Sequence, residues 1–280
     1  MDEAELVGRV RELAFRHGRY GYRRITVLLR REGLKINRKR VHRIWKAEGL
    51  SLPLRRPKRR RIGPTEETMN KAEFPNHVWS YDFLEDRTER GGKLRILGVI
   101  DEYTRESLAI RVRPSLPAAA VVEVLEWLFL VRGVPQHIRS DNGPEFIAGV
   151  VAEWLKKNGC RTLFINPGSP WENGHMESFF DKLRDECLNR EVFRNWKEAQ
   201  AIVDGWLKEY NDYRPHSSLN YLTPSEFARR CHQNNPADRR TSGQRPSDLL
   251  QLLTSTLLLM PSRRSYWVCL PLVLAAAHYR

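Results

Sequence analysis

Apolar residues recur at helical spacing through the first fifty residues of the chain. Gly33 separates the second apolar run from the third, and Asn37 stands where an N-cap of a third helix is expected. Three short helices with a glycine-containing turn before the last are typical of a helix-turn-helix, so the pattern predicts such a domain over residues 1–50. The residues with this spacing are Leu6, Val10, Leu13, Ala14, Ile25, Leu28, Leu29, Val41, Ile44 and Trp45.

Basic side chains cover the outward face of the third predicted helix. They are Arg38, Lys39, Arg43 and Lys46. Arginine and lysine donate hydrogen bonds to phosphate oxygens and to guanine edges in a major groove, so this face is a candidate DNA-binding surface. The alternative interpretation is a small helical bundle whose surface is merely basic, because the helix-turn-helix pattern is weak by itself.

From about residue 76 the apolar pattern becomes one of short strands alternating with helices. A Gly91-Gly92 turn separates the first two strands, which predicts an antiparallel meander of three strands at the start. The predicted strands cover residues 78–84, 94–100, 107–112, 136–139 and 161–165, and the predicted helices cover 117–131, 146–158, 174–189 and 197–211. This order predicts an α/β fold with a mixed sheet and flanking helices.

Composition divides the chain into five regions. Residues 212–230 are polar and punctuated by proline, and the last thirty residues are rich in apolar side chains without a clear period. The predicted regions are a helix-turn-helix domain over 1–50, a basic Pro-rich linker over 51–75, a core over 76–190, a helical C-terminal extension over 191–232 and a tail of unknown structure over 233–280.

The net charge of +14 is concentrated at the start of the chain. Residues 1–62 hold 20 Lys and Arg against 6 Asp and Glu, whereas the rest of the chain is balanced. Within the linker, Arg59 and Arg60 belong to a basic run that can lie along a phosphate backbone. One basic module beside a neutral remainder indicates a nucleic-acid-binding segment attached to another activity, with a solvated basic arm as the alternative.

Cysteine spacing and hydropathy exclude several classes of protein. The four cysteines are scattered and none precedes residue 160, which excludes an N-terminal zinc finger and argues against a disulfide framework. The N-terminus has no apolar signal region, and the longest apolar stretch, Trp267 to Ala277, is too short to span a bilayer. We therefore expect a soluble intracellular protein with no membrane partner.

Three carboxylates stand where acidic residues are unexpected: Asp82, Asp141 and Glu177. A carboxylate inside a sheet is costly unless it is paired or bound to a cation, and oxygen ligands of this kind suit Mg²⁺ or Mn²⁺. Each residue also has an ordinary explanation. Asp82 could end its strand, Asp141 could belong to a common Asp-Asn-Gly turn, and Glu177 could be one of several exposed acids on a helix.

Ordered motifs around these carboxylates carry a family resemblance. They are VWSYDF around Asp82, SDNGPEF at Asp141 and NPGSPWENGHMESFFDKLRDE around Glu177, and 35 residues separate the last two carboxylates. The chain resembles the DDE transposases with a retroviral-integrase-like core, specifically the second-reading-frame (OrfB) product of a large group of bacterial insertion sequences. The segment RPHSSLNYLTPSEFA, residues 214–228, is similar to the family's closing motif, with Asn220 where glycine is common.

The resemblance implies a ribonuclease H-like fold for residues 76–190 and a role for each matched residue. Asp82, Asp141 and Glu177 would be catalytic carboxylates that bind Mg²⁺, or Mn²⁺, with two ions per site. Arg184 would contact DNA near the cleaved end. The matched residues expected to support the site are Asn142, Glu145 and Asn173.

The resemblance also implies the reaction and the partners. Water would cut a strand at the element's end and free a 3′-hydroxyl, which would then attack another phosphodiester. The expected partners are element ends, target DNA, further copies of the chain and the upstream-frame (OrfA) protein, in the bacterial cytoplasm at the nucleoid. The alternatives are a catalytically dead DNA-binding regulator from a decayed element and a nuclease of the same fold that never joins ends.

Two histidines complete the prediction. We expect His175, two residues before Glu177, to be an exposed residue at the start of a helix. His216, in the closing motif, could contact DNA or cap a turn.

Overall fold

The N-terminal region folds into three helices. A computed structural model describes residues 2–51, 71–140, 145–164 and 173–234. The helices are α1 (Glu3–Arg16), α2 (Tyr22–Arg31) and α3 (Arg38–Ala47). The Asn37 side chain accepts a hydrogen bond from the Lys39 amide at 2.9 Å, which confirms the predicted N-cap. The turn before α3 contains Gly33 at φ +88°, a left-handed conformation that favours glycine.

A five-stranded mixed sheet forms the centre of the next region. Its strands are β1 (Val78–Arg87), β2 (Lys93–Asp101), β3 (Ser107–Arg113), β4 (His137–Ser140) and β5 (Arg161–Phe164). Their order is β3-β2-β1-β4-β5; β1, β2 and β3 pair antiparallel, while β4 and β5 run parallel to β1. The predicted three-stranded meander and mixed sheet are confirmed.

Helices cover both faces of this sheet. On one face lie α4 (Ala118–Arg132) and α5 (Glu145–Lys157), and on the other lie α6 (Gly174–Glu186) and α7 (Trp196–Asp212). Side chains alternate along β1, so Trp79 packs in the α4–α5 core and Leu84 packs in the α6–α7 core. Each face therefore has its own apolar core, and a polar residue on β1 belongs to one face or the other.

The segments that follow α6 and α7 contain further helical structure beyond what their composition predicts. A short 3-10 helix spans Leu188–Arg190 after α6, and a second spans Ser217–Leu219. A further helix, α8 (Pro224–Asn234), follows in the stretch expected to be polar and proline-punctuated. Thr223 and Glu226 form a capping box, in which each side chain accepts a hydrogen bond from the other residue's amide. That motif is readable in the sequence and marks the start of α8.

Asn220 adopts φ +53° and ψ +36° in the left-handed region at the end of the second 3-10 helix. Glycine tolerates this conformation best and asparagine next, because its short polar side chain can bond locally. The departure from glycine at this position is thus compatible with the same backbone.

Parts of the predicted organisation lie outside the described residues. Most of the basic linker, with Arg59 and Arg60, and all residues of the tail after 234 are among them. Within the described ranges, no helix is both long and apolar enough to cross a membrane.

Candidate functional site

Asp82 lies in the middle of β1 and is half-buried. The strand continues five residues beyond it to Arg87, so Asp82 does not end the strand. Alternation places it on the same face as Leu84, which packs against α6. The carboxylate therefore belongs to the α6 side of the sheet.

Helix α6 approaches the sheet beside Asp82. Gly98 of β2 is the register partner of Asp82, and it carries no side chain. A Cβ at this position would lie 2.9 Å from a ring carbon of Phe180 and 3.1 Å from Cε of Met176. The glycine thus allows α6 to pack directly on the sheet. One of the contacting residues, Met176, immediately precedes Glu177 in the helix.

A hydrogen bond joins Asp82 to the residue that precedes α6. The Asn173 amide Nδ2 donates to Asp82 Oδ2 at 3.1 Å, and the backbone amide of Phe83 donates to Asp82 Oδ1 at 2.7 Å. Asn173 is 5% exposed, and its Oδ1 atom is buried with no hydrogen-bond partner in the described part of the chain. Asn173 therefore places an unsatisfied oxygen next to the aspartate.

Glu177 is exposed on α6, four residues after Asn173. Within the described part of the chain its carboxylate makes no ion pair. Arg184 is two turns further along the same helix face and is exposed, and its Nη2 donates to the Glu85 carbonyl at 3.5 Å. Glu177 and Arg184 thus face the same side of α6, toward the part of β1 that follows Asp82.

The second predicted carboxylate lies outside the described residues, as do Asn142 and the side chain of Glu145. The described chain reaches Ser140 at the end of β4, which runs parallel to β1 with Ser80 paired to Arg139. Among the described residues, no three histidine, cysteine or acidic side chains lie close enough to hold a metal ion. The structure therefore brings Asp82, Asn173 and the Glu177 helix together, without describing Asp141.

A buried ion pair supports the sheet next to this site. Arg139 Nε donates to Glu102 Oε1 at 2.9 Å, and the Ser80 hydroxyl also bonds this carboxylate. The exposed fractions of the Arg139 and Glu102 side chains are 7% and 4%. This network was not predicted from the sequence, although Arg139 is a charged residue inside the short strand before Asp141.

Arg105 lies in the loop after β2 in a strained backbone conformation. Its φ is +63°, and the preceding loop is held by Asp101, whose Oδ1 accepts from the amides of Tyr103 and Thr104 at 2.8 and 2.9 Å. Arg105 Nη1 contacts Nδ1 of His175 at the start of α6. The prediction of an exposed His175 is wrong, because the ring is half-buried against this loop. Burial, followed by the Arg105 charge, lowers the pKa of His175 to about 4.

Residues 214–228, which we call the closing segment, connect α6 to the N-terminal helices. Arg214, 2% exposed, pairs with Glu186 at the end of α6, with Nε to Oε2 at 2.7 Å. Its guanidinium also lies 5.8 Å from the ring of Tyr20, between α1 and α2. Arg24 Nε donates to the Pro215 carbonyl at 3.2 Å, and Arg31 pairs with Glu226 at 2.8 Å. Arg24 and Arg31 of α2 therefore each contact residues 214–228.

His216 is buried in this junction and is the N-cap residue of the 3-10 helix Ser217–Leu219, where its carbonyl accepts from the Leu219 amide at 3.0 Å, so the turn-capping alternative describes it. Its ring meets that of Tyr210 edge-on at 4.7 Å, and its Nε2 atom has no hydrogen-bond partner. Burial, with the charges of Arg214, Lys182, Arg24 and Arg105, lowers the pKa of His216 to about 2. The ring is therefore neutral at physiological pH.

The basic residues predicted on α3 all lie at its exposed surface. They are Arg38, Lys39, Arg43 and Lys46. Arg43 also reaches Glu3 of α1, with Nη2 to Oε1 at 3.3 Å. Because that pair is exposed, a competing phosphate can displace it at little cost.

Three domain families match this chain. An HTH-like domain matches residues 1–59, and two integrase core domain families match residues 72–170 and 158–224. Among solved structures, the HTLV-2 integrase catalytic core in complex with magnesium has 17% identity and a TM-score of 0.46, covering 56% of this chain and 99% of that one.

Curated relatives cover most of the chain. An uncharacterized 31.7 kDa protein of insertion element IS407 from Burkholderia multivorans is 40% identical over 223 residues, 80% of each protein. An IS476 protein from Xanthomonas euvesicatoria is 37% identical over 80% of this chain and 64% of its own length. The putative transposase InsK of IS150 from Escherichia coli is 30% identical over 75% of this chain and 77% of its own length. The chain belongs to the family of insertion-element transposases that combine an HTH-like domain with an integrase core.

Proposed function

We propose that the chain cuts one DNA strand at each end of an insertion element and joins the freed 3′-hydroxyl to target DNA. The proposed catalytic carboxylates are Asp82, Asp141 and Glu177. The observation that carries the proposal is the hydrogen bond between Asn173 and Asp82, because it ties the first carboxylate to the helix of the third. The second follows in sequence directly after β4, the parallel neighbour of β1.

The donor atoms fit a divalent cation. Asp82 and Glu177 offer carboxylate oxygens, the type of ligand that Mg²⁺ and Mn²⁺ prefer. The amides of Phe83 and Asn173 donate to the Asp82 carboxylate, and the buried Asn173 Oδ1 is a further acceptor that has no partner among the described residues. This oxygen can accept a hydrogen bond from a water molecule in the hydration shell of such an ion. We assign two Mg²⁺ ions, replaceable by Mn²⁺, to the three carboxylates.

The protein supplies orientation and charge in this mechanism. Two bound divalent ions would activate the attacking oxygen and stabilise the leaving oxygen of an in-line displacement. Asn173 holds the Asp82 carboxylate in one orientation, and the contact of α6 with Gly98 sets the height of Glu177 above the sheet. Arg184, on the Glu177 face, would bind a phosphate near the cut strand. No serine, tyrosine or cysteine needs to form a covalent intermediate.

DNA recognition is assigned to the N-terminal region. We propose that α3 enters a major groove with Arg38, Lys39, Arg43 and Lys46, while Arg59 and Arg60 of the linker follow the phosphate backbone. Because transposition joins two DNA ends, we propose that several copies of the chain act together on DNA. The upstream-frame (OrfA) protein is a proposed partner, and the bacterial cytoplasm at the nucleoid is the proposed location.

A supercoiled plasmid that carries candidate element ends tests the chemistry. In Mg²⁺ the wild-type chain should produce nicked and joined products, and Asp82→Asn, Asp141→Ala and Glu177→Gln should each reduce both to background. Glu153→Gln is the matched control, since it removes an exposed helix carboxylate on the opposite face of the sheet that pairs with Lys157 of the same helix. DNA binding without Mg²⁺ should be unchanged in all four variants.

The products also separate the alternatives. Nicks without joined ends would favour a nuclease of the same fold. Binding without nicks, even after the upstream-frame protein is added, would favour a DNA-binding regulator. Loss of binding in all three carboxylate variants would instead show that these residues maintain the fold.

A further inference from the structure

A cavity of about 210 Å³ opens beside the start of α6. Its walls come from the loop after β2, from α6 and from the closing segment, with Lys71 at one edge. The polar and charged lining residues are Lys71, Glu102, Tyr103, Arg105, His175 and Ser218. His175 is two residues before Glu177, so the cavity lies next to the proposed catalytic helix and on the side away from Arg184.

Three cations in and behind this cavity have only neutral acceptors. Arg105 contacts the His175 ring, Lys182 bonds the Ser178 carbonyl and hydroxyl, and Arg24 bonds the Pro215 carbonyl. Across the described ranges, none of these three cations makes an ion pair with a carboxylate. They come from three separate elements: the loop after β2, helix α6 and helix α2.

The three cations meet around His216. Arg24 bonds the carbonyl of Pro215, the residue before it, and Lys182 shares a face of α6 with His175, which Arg105 contacts. The charges of Arg214, Lys182, Arg24 and Arg105 all act on the His216 ring, and burial together with these charges keeps its pKa low. The ring is 5% exposed, and its Nε2 atom has no hydrogen-bond partner among the described residues. The junction therefore holds a buried polar atom whose hydrogen-bonding capacity is unused, next to several positive charges.

The nearby acids Glu186 and Glu102 offset this charge in part, but each of them also bonds another cation. Glu186 is bonded by two nitrogens of Arg214, and Glu102 is bonded by Arg139 and Ser80. Burial also lowers the pKa of Lys182 to about 8, with the charge of Arg214 as the next cause. Like charges held together in a half-buried site repel each other, and a bound anion would offset that repulsion.

We propose that Arg105, Lys182 and Arg24, with the cavity beside His175, bind phosphate groups of a DNA strand that passes from the candidate active site toward the N-terminal domain. Arginine and lysine are the side chains that bind nucleic-acid phosphates, and the cavity gives access to Arg105 from solvent. This site rests on the proposed function in one respect, since it takes DNA as the substrate. It differs from the α3 surface and from Arg184, which lie elsewhere.

The test measures DNA binding by the full-length chain without Mg²⁺. Fluorescence anisotropy of a short labelled duplex of arbitrary sequence is recorded between roughly 50 and 200 mM salt. Arg105→Gln and Lys182→Gln should each weaken binding and reduce the slope of log K against log salt concentration by about one. Arg105→Lys should retain most of the slope, because it keeps the charge. Lys157→Gln, a cation on the opposite face of the sheet, should bind like the wild type.

An unchanged slope in both Gln variants, with wild-type melting temperatures, would overturn the proposal. A second arm replaces DNA with inorganic phosphate and records the melting temperature. If phosphate stabilises the wild type but not Arg105→Gln while the DNA slopes stay equal, the site binds a free anion and the DNA assignment is wrong.

The result of this DNA-binding test can be distinguished from the result of the plasmid cleavage assay. Asp82→Asn should bind DNA with the wild-type slope, since its carboxylate is not part of the cationic site. A reduced slope in Arg105→Gln together with no plasmid cleavage by the wild type would support the site and reject the proposed chemistry.

Discussion

The two flanks of α6 carry opposite chemistry. On one, which we call the acidic flank, Glu177 follows Asn173 by about one turn, and Asn173 bonds Asp82. On the other, the cationic flank, Lys182 stands near Arg105 and Arg24, and each of these three cations bonds a neutral group. A helix separates these sets because residues 175, 178 and 182 share one face and residues 177 and 184 share another. One element can thus position metal ligands and phosphate-binding groups side by side.

The largest expected effect comes from breaking the buried pair that anchors the cationic flank. Arg214→Met leaves the Glu186 carboxylate, whose side chain is 10% exposed, without its cation. We expect a loss of about 3–5 kcal/mol in the free energy of unfolding, measured by urea denaturation.

The double variant Arg214→Met with Glu186→Leu serves as the control. It should recover most of that loss, because no buried charge remains unpaired. If the single and double variants are equally unstable, packing of the arginine stem dominates and the charge pair is secondary.

On the acidic flank, Asn173→Ala removes the hydrogen bond that orients Asp82. Groups that orient a metal ligand typically contribute 10–100-fold, so we expect plasmid nicking to fall by roughly that factor. The fall should be smaller at high Mg²⁺ if weaker ion binding is the cause. Equal activity in Asn173→Ala and wild type would show that Asp82 is oriented by the strand alone.

Gly98→Ala tests the close approach of α6 to the sheet. The added methyl would lie 2.9 Å from the buried ring of Phe180, so the helix or the ring must shift. We expect a loss of about 1–3 kcal/mol in the free energy of unfolding, and reduced nicking. Gly205→Ala, in open space on α7, should instead stabilise by about 0.5–1 kcal/mol.

The smallest expected effect is a pH dependence that belongs to the cationic flank. The pKa of His216 is lowered to about 2 in the folded chain, whereas unfolded histidine takes up a proton near pH 6.5. The unfolded state therefore binds the extra proton below pH 6.5, and stability falls as pH falls through this range. The pKa of His175 is about 4 in the folded chain, so protonation of this residue in the unfolded state also lowers the stability as the pH falls from 6.5 to about 4.

Urea denaturation at pH 7 and near pH 5.5 measures this dependence. Between them, wild type should lose about 1 kcal/mol more than His216→Asn, which has no ring to protonate. Equal losses in the two proteins would show that His216 accepts a proton without cost in the fold.

Much of the fold was predictable from the sequence because the signals were local. The N-cap Asn37 and the alternating strands of the meander depend on neighbouring residues, and their elements lie where the pattern predicts them. Helix α8 was missed although Thr223, Pro224 and Glu226 form a readable start signal. The strand β1 extends to Arg87, beyond its apolar run, because β2 pairs with it along that whole length.

The residues of the candidate site were likewise predictable in part. Asp82, Asp141, Glu177 and Asn173 were predicted through motifs, and their roles stay predictions. The structure brings Asp82 and Asn173 into contact. Arg105, Lys182 and Arg24 have no shared sequence pattern, since they come from three elements distant in the chain.

The sequence by itself determined the helix-turn-helix pattern, the order of strands and helices and the three spaced carboxylates, because each of these depends on residue type and spacing along the chain. Only the tertiary structure decided which side chains meet across α6. Gly98 is opposite Asp82 because β1 and β2 pair in one register, and Lys182 lies near Arg24 because the closing segment docks α2 against the core. Such contacts depend on packing between distant segments, which spacing along one chain does not encode.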